Sequence, residues 1–215
     1  MNIIDICLDA GHMNYSLEDG RTLVRAARSA IELHIRSPRF DREIVERHIS
    51  RFGAPSGVFV TIEHYPTMTL RGCIGFPNPT GPLNKRLVEA AIAASSEDAR
   101  FAPVSHRELE EIVIEVSILT NPEAIKQRTE KGRLREIRIG RDGLIIRYGF
   151  KSGILLPDVP AKEGWSKEEF LQNVCMKAGL RADAWKRPEI ELCRFTAQVF
   201  REMEPSGRIE DLKIG

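Results

Sequence analysis

The sequence predicts an α+β protein built on antiparallel sheets, and three observations carry that prediction. Two pairs of β-branched, apolar runs, 57–64 with 70–76 and 143–149 with 151–157, are each separated by a short turn segment, as in a hairpin. Runs of helical period lie between groups of strands rather than alternating one for one with them, which argues against a parallel sheet. The chain of 215 residues, 42% hydrophobic and 29% charged, is long enough to bury a core without disulfide support.

Each element has a local reason. Residues 16–36 read as a helix, because Ser16 and Asp19 form a capping-box pattern and Leu23, Ala26, Ala27, Ala30, Ile31 and His34 recur at helical spacing. A short helix is expected within 41–50. GVFVTIEH at 57–64 is a strand by composition, YPTMT turns the chain, and LRGCIGF at 70–76 returns beside it until PNPTGP ends it. An alanine-rich helix follows from about Leu83 to Ser95, then a short capped helix at 105–111 with Ser105 and Glu108. IVIEVSIL at 112–119 is a strong strand with Glu115 and Ser117 on one alternation. GLIIRYG and KSGILLP form a second hairpin about Gly149. SKEEFLQNVCMKAGL at 166–180 is a helix, capped by Ser166 with Glu169 and closed at Gly179; Trp165 ahead of it suits a hydrophobic staple on Phe170. IELCRFTAQVFREM is an apolar strand expected to rejoin the first sheet, and the polar tail PSGRIEDLKIG is expected to pack poorly. This places 1–121 with 190–215 in a larger subdomain and 122–189 in a smaller inserted one.

The bulk numbers exclude several classes. A formal charge of +1 gives no global field toward nucleic acid or an anionic membrane, so any such attraction is local. The opening MNIIDICLDA has no basic region and carries Asp5 and Asp9, unlike a signal peptide, and no apolar run approaches the roughly 20 residues of a membrane span. Cys7, Cys73, Cys175 and Cys193 form no paired motif, which fits free thiols in the cytoplasm, and the scattered histidines show no metal spacing. The stretch 126–141 holds seven basic and two acidic residues, a solvated face or a contact for phosphates.

The unusual chemistry is concentrated in LRGCIGF. Cys73 is a candidate nucleophile, given positive charge or donated hydrogen bonds, and equally a small core residue. Arg71 shares its face on an undisturbed strand, and Gly72 and Gly75 can open room beside the sulfur. His64 across the hairpin is the nearest base in sequence. A guanidinium on an interior strand needs a carboxylate, a set of carbonyls or an anionic ligand, and Glu115 or Asp98 could supply the carboxylate.

LRGCIG, followed in order by DARFAPV, IEVSIL, GRDGLIIRYGFKSGILLP, EGWSKEEFL, CMKAGL and AWK, resembles the signature set of the AMMECR family over roughly residues 16–203. The motif positions Leu70, Arg71, Gly72, Cys73, Ile74 and Gly75 are all intact. The resemblance implies a fold more than a reaction, and it leaves any cofactor unknown. It implies two subdomains, each an antiparallel sheet with helices, and a cleft between them that the signature faces. That cleft would admit a large substrate, protein or nucleic acid, either for an enzyme using Cys73 and Arg71 or for a binding module or assembly subunit. A functional link to Memo-type and radical-SAM proteins also follows from the resemblance; no membrane partner does.

Overall fold

The structure is a computed structural model, and it describes residues 15–212. The N-terminal stretch read as unlike a signal peptide, with Cys7 and His12, lies outside the described residues. Six α-helices and nine strands are found among the described residues, arranged as two antiparallel sheets, so the predicted α+β class holds. The described residues divide into two units, 15–119 with 198–212, and 120–197.

The larger unit carries a five-stranded sheet in the order β2-β1-β3-β8-β9. Strands β1 (Gly57–His64) and β2 (Thr69–Phe76) form the expected hairpin, with Thr61 opposite Cys73 and Ile62 opposite Gly72. The register shifts between Ile62 and Glu63, so Arg71 is the extra residue of a bulge. Strand β3 (Ile112–Leu119) is buried at every position and pairs with β1, placing Glu115 opposite Thr61. Helices α1 (Leu17–Arg36) and α3 (Leu83–Ser96) supply Leu23, Ala27, Ile31, Leu87 and Ala91 to a core with Val58, Val60, Ile62, Ile114 and Val116. The capping box of Ser16 and Asp19 forms, and α2 spans Glu43–His48. Arg28 of α1 is buried in this core against Glu202, with its Nε 2.6 Å from one carboxylate oxygen and its Nη2 2.5 Å from the other.

The smaller unit has a four-stranded sheet in the order β4-β7-β5-β6, where β4 is Glu123–Ala124 and β7 is Glu191–Phe195. Strands β5 (Gly143–Tyr148) and β6 (Lys151–Leu155) close over the two-residue turn Gly149–Phe150, and Gly149 has a φ of +57° that a side chain would resist. Helix α6 (Lys167–Lys177), with its Ser166–Glu169 box, buries Phe170, Leu171, Val174 and Cys175 in a core with Trp185, Leu144, Ile146 and Leu192. Trp165 packs against the same core that contains Phe170. Helix α5 covers Asp158–Lys162.

Three sequence expectations change. The last apolar run is two strands in two sheets: β7 pairs with β5, and β8 (Ala197–Glu202) joins the larger sheet. The break falls at Thr196, whose N–H donates to Thr120 Oγ1 at 2.9 Å while Thr120 N–H donates to its carbonyl, so these residues bond each other instead of continuing a ladder. The tail packs: β9 (Ile209–Leu212) pairs with β8 and buries Ile209. The basic stretch is not a uniformly solvated face. It holds helix α4 (Glu130–Glu136), capped by Thr129, and Arg133 is enclosed, donating to the carbonyls of Gln127, Trp185 and Ile190.

Candidate functional site

The signature strand β2 is the edge of the five-stranded sheet, and the segment after α3 lies along that edge. Beyond Glu97, the chain turns at Asp98, whose carbonyl accepts from Phe101 N–H and whose carboxylate accepts from Arg100 N–H at 3.2 Å. The same carboxylate, 5% exposed, takes Arg100 Nε at 2.9 Å and Nη2 at 2.6 Å. It also takes the backbone N–H of Cys73 at 2.9 Å, an outward-facing donor that an edge strand would otherwise leave open. Arg100 Nη2 reaches on to the Cys73 carbonyl at 3.4 Å. The hydrogen bond from Arg100 is the largest influence holding the Asp98 carboxyl well below the usual carboxylate range.

Arg71 does not use either carboxylate proposed from sequence. Its Nε donates to Glu108 Oε1 at 2.7 Å, and its guanidinium carbon sits 5.9 Å from the Phe101 ring centre. Glu108 belongs to the short 3-10 helix His106–Glu110, where it also closes the capping box on Ser105. Burial alone would raise the Glu108 carboxyl, but hydrogen bonds from Arg71 and from Ser105 outweigh it and lower it to about 2. The Arg71 side chain is 9% exposed. Among the described residues, neither its Nη1 nor its Nη2 makes a hydrogen bond, and neither is sealed from solvent. The alternative partners are placed elsewhere. Asp98 holds Arg100 and Cys73, and Glu115 lies 3.9 Å from Arg201, which also reaches Glu63 at 3.3 Å.

The two glycines do not open space beside the sulfur. A methyl group on Gly72 would stand 2.2 Å from the Ala94 carbonyl oxygen, so this glycine is where α3 meets the strand. On Gly75 it would stand 2.3 Å from the Phe59 ring and 2.4 Å from the Val58 carbonyl. Ile74 packs against the larger core, and Leu70 is half-exposed. His64 is not across from Cys73. It pairs with Thr69 and, three residues along β1 from Thr61, points to the opposite face. A group that faces the thiol is Thr61, whose Oγ1 donates to Sγ at 3.4 Å.

Thus Leu70, Arg71, Gly72, Cys73, Ile74 and Gly75 are gathered on one edge strand. Asp98 joins them, Glu115 lies two strands along the sheet, and His64 turns away. Sequence reasoning missed Thr61 and Glu108 as neighbours of the signature, and it read Arg100 and Phe101 only as part of the loop after α3, a positioned loop or an ordinary connection. Glu108 was visible only as a capping residue, and its second role depends on a bulge no local pattern marks. Among the described residues, no group of three or more histidine, cysteine or acidic side chains could hold a metal, and no helix is long and apolar enough to cross a membrane.

A five-stranded antiparallel sheet whose glycine-bearing edge strand is clipped by two arginine–carboxylate pairs defines a class of α+β protein. The sequence model of the AMMECR1 family matches residues 24–200, and the chain belongs to that family. It is 46% identical over 199 residues to Protein MJ0810 of Methanocaldococcus jannaschii, covering 93% of this chain and 98% of that one. It is 48% identical over 200 residues to a protein of Thermococcus gammatolerans, covering 91% and 97%. The crystal structure of the uncharacterized protein PH0010 from Pyrococcus horikoshii matches with a TM-score of 0.85 at 42% identity, covering 91% of this chain and 97% of that one.

Proposed function

We propose that this chain binds a large substrate by placing hydrogen-bond acceptors of that substrate on the terminal nitrogens of Arg71, on the edge strand that also carries Cys73. The observation that carries this is the division of labour within one guanidinium. A side chain only 9% exposed commits Nε to Glu108 and leaves Nη1 and Nη2 with no protein partner among the described residues. Both nitrogens reach solvent, so an incoming carboxylate or carbonyl can take the place of water on them. The test is thermal denaturation in the presence of acetate or N-methylacetamide. The midpoint of the wild-type chain rises, and that of Arg71→Lys, which keeps a charge for Glu108 but lacks the fork, does not. Equal shifts in both chains contradict the reading.

A second reading, an enzyme with Cys73 as nucleophile, is favoured by Arg100. Its guanidinium is fixed on the Cys73 carbonyl, and its proton affinity is raised first by the Asp98 hydrogen bond and in smaller part by the Cys73 sulfur. A cation beside a sulfur stabilises the attacking thiolate. Faster alkylation of Cys73 by iodoacetamide than of a free cysteine peptide, with the excess lost in Arg100→Gln, supports it. A rate no faster than the peptide's removes it.

A further inference from the structure

We infer that the substrate received at Arg71 is a polypeptide segment and not a nucleic acid. This rests on the reading of Arg71 given above and adds the chemical class of its ligand. Two guanidiniums border Phe101, with Arg71 5.9 Å and Arg100 5.4 Å from the ring centre. Both retain donors among the described residues: Nη1 and Nη2 on Arg71, and Nη1 on Arg100, whose Nε and Nη2 are held by Asp98 and the Cys73 carbonyl.

Neither arginine brings surplus charge. Arg71 is balanced by Glu108 at 2.7 Å and Arg100 by Asp98 at 2.6 Å. Both carboxyls are held ionised well into acid, so the balance persists at neutral pH. Phosphate backbones are bound through unbalanced positive charge and the release of counterions. A charge-balanced arginine with free N–H groups instead suits the neutral carbonyl oxygens and single carboxylates of a peptide.

The stretch of the chain richest in positive charge belongs to the smaller unit; in it Arg133 is enclosed by carbonyls and Arg141 is paired with Asp142 at 2.7 Å, while Lys126, Lys131, Arg135 and Arg138 are exposed. Apolar side chains are among those exposed near Arg71 in the chain. Leu70 is 40% exposed, and Tyr65, at the other end of the same hairpin turn, is also 40% exposed. Side-chain patches of that kind meet peptide side chains.

The experiment follows alkylation of Cys73 by iodoacetamide, read by peptide mapping so that the other cysteines are counted separately. The intact chain is challenged with a mixture of tryptic serum-albumin peptides or with random RNA of about 20 nucleotides. Peptides slow alkylation about threefold or more in the wild type, and the slowing persists between about 50 and about 500 mM salt because no counterion release drives it. RNA leaves the rate unchanged. In Arg71→Lys, peptides no longer slow the reaction, and circular dichroism confirms that this variant folds. Slowing by RNA that fades with salt overturns the inference while leaving the role of Arg71 standing, provided Arg71→Lys abolishes it. Slowing by peptides that is equal in wild type and Arg71→Lys overturns both the inference and the reading beneath it, as does no slowing by either probe.

Discussion

The carboxylate of Asp98 holds the backbone N–H of Cys73 at 2.9 Å and the guanidinium of Arg100 at 2.6 Å, so one buried group ties the signature strand to the loop after α3. Removing it leaves a strand-edge donor and a guanidinium without their acceptor. Asp98→Ala is expected to lower stability by about 1–3 kcal/mol, measured by urea denaturation. Because the hydrogen bonds of the Arg100 side chain among the described residues go to Asp98 and Cys73, the same variant also loses any excess alkylation rate at Cys73.

Glu108 sets an acid limit on the fold. Its folded value is about 2 against an ordinary 4.5, so the group is depressed on folding. Its contribution is therefore complete above pH 4.5 and is lost as the pH falls toward 2. With the carboxylate 23% exposed, solvent screening reduces that contribution to about 2 kcal/mol. Between those limits the unfolding free energy of the wild type falls by about that much more than that of Glu108→Gln, as followed by denaturant titration at stepped pH. Identical pH curves for the two chains contradict the assignment.

Gly72 tests whether the signature is architecture as well as site. Its missing side chain is where the Ala94 carbonyl oxygen sits, 2.2 Å from a built Cβ, and a helix backbone cannot swing aside as a flexible side chain can. Gly72→Ala is expected to cost about 3 kcal/mol or more, seen as a lowered denaturation midpoint. A neutral effect would mean that α3 does not sit this close to the strand.

Among the described residues, Arg28 and Glu202 form the most enclosed ion pair of the larger unit, with side chains 8% and 2% exposed. Arg28→Met leaves a buried carboxylate that still accepts from Ile114 N–H but has lost its cation. A loss of about 3–5 kcal/mol is expected, and Arg28→Met with Glu202→Leu recovers part of it because the uncompensated charge is gone. Denaturation of the three variants closes the cycle.

The sequence made the elements legible because their signals are local. The capping boxes at Ser16, Ser105 and Ser166 form, as do both hairpins and the strand β3, although Glu115 and Ser117 are buried on it like every other position. What it hid depends on register and distance along the chain. A bulge redirects Arg71 to Glu108, 37 residues away, and a pair of threonines divides one apolar run between two sheets. Arg133 looked like one of many surface cations because its carbonyl partners lie on segments about Trp185 and Ile190. The site was legible as a place, the strand with too many special residues. The groups found around that strand, Thr61, Arg100 and Glu108, come from other elements, and nothing local to Thr61 or Arg100 marks them.

The central claim is that Arg71 keeps its terminal nitrogens for a ligand, and arginine-selective nitrogen NMR of the intact chain tests it most directly. Without ligand, the Arg71 Nε–H should be protected from exchange by Glu108 while the Nη protons exchange freely. Adding the albumin peptides should slow the Nη protons and leave Nε unchanged. Nη protons already protected without peptide, or unaltered when peptide is added, would contradict the account.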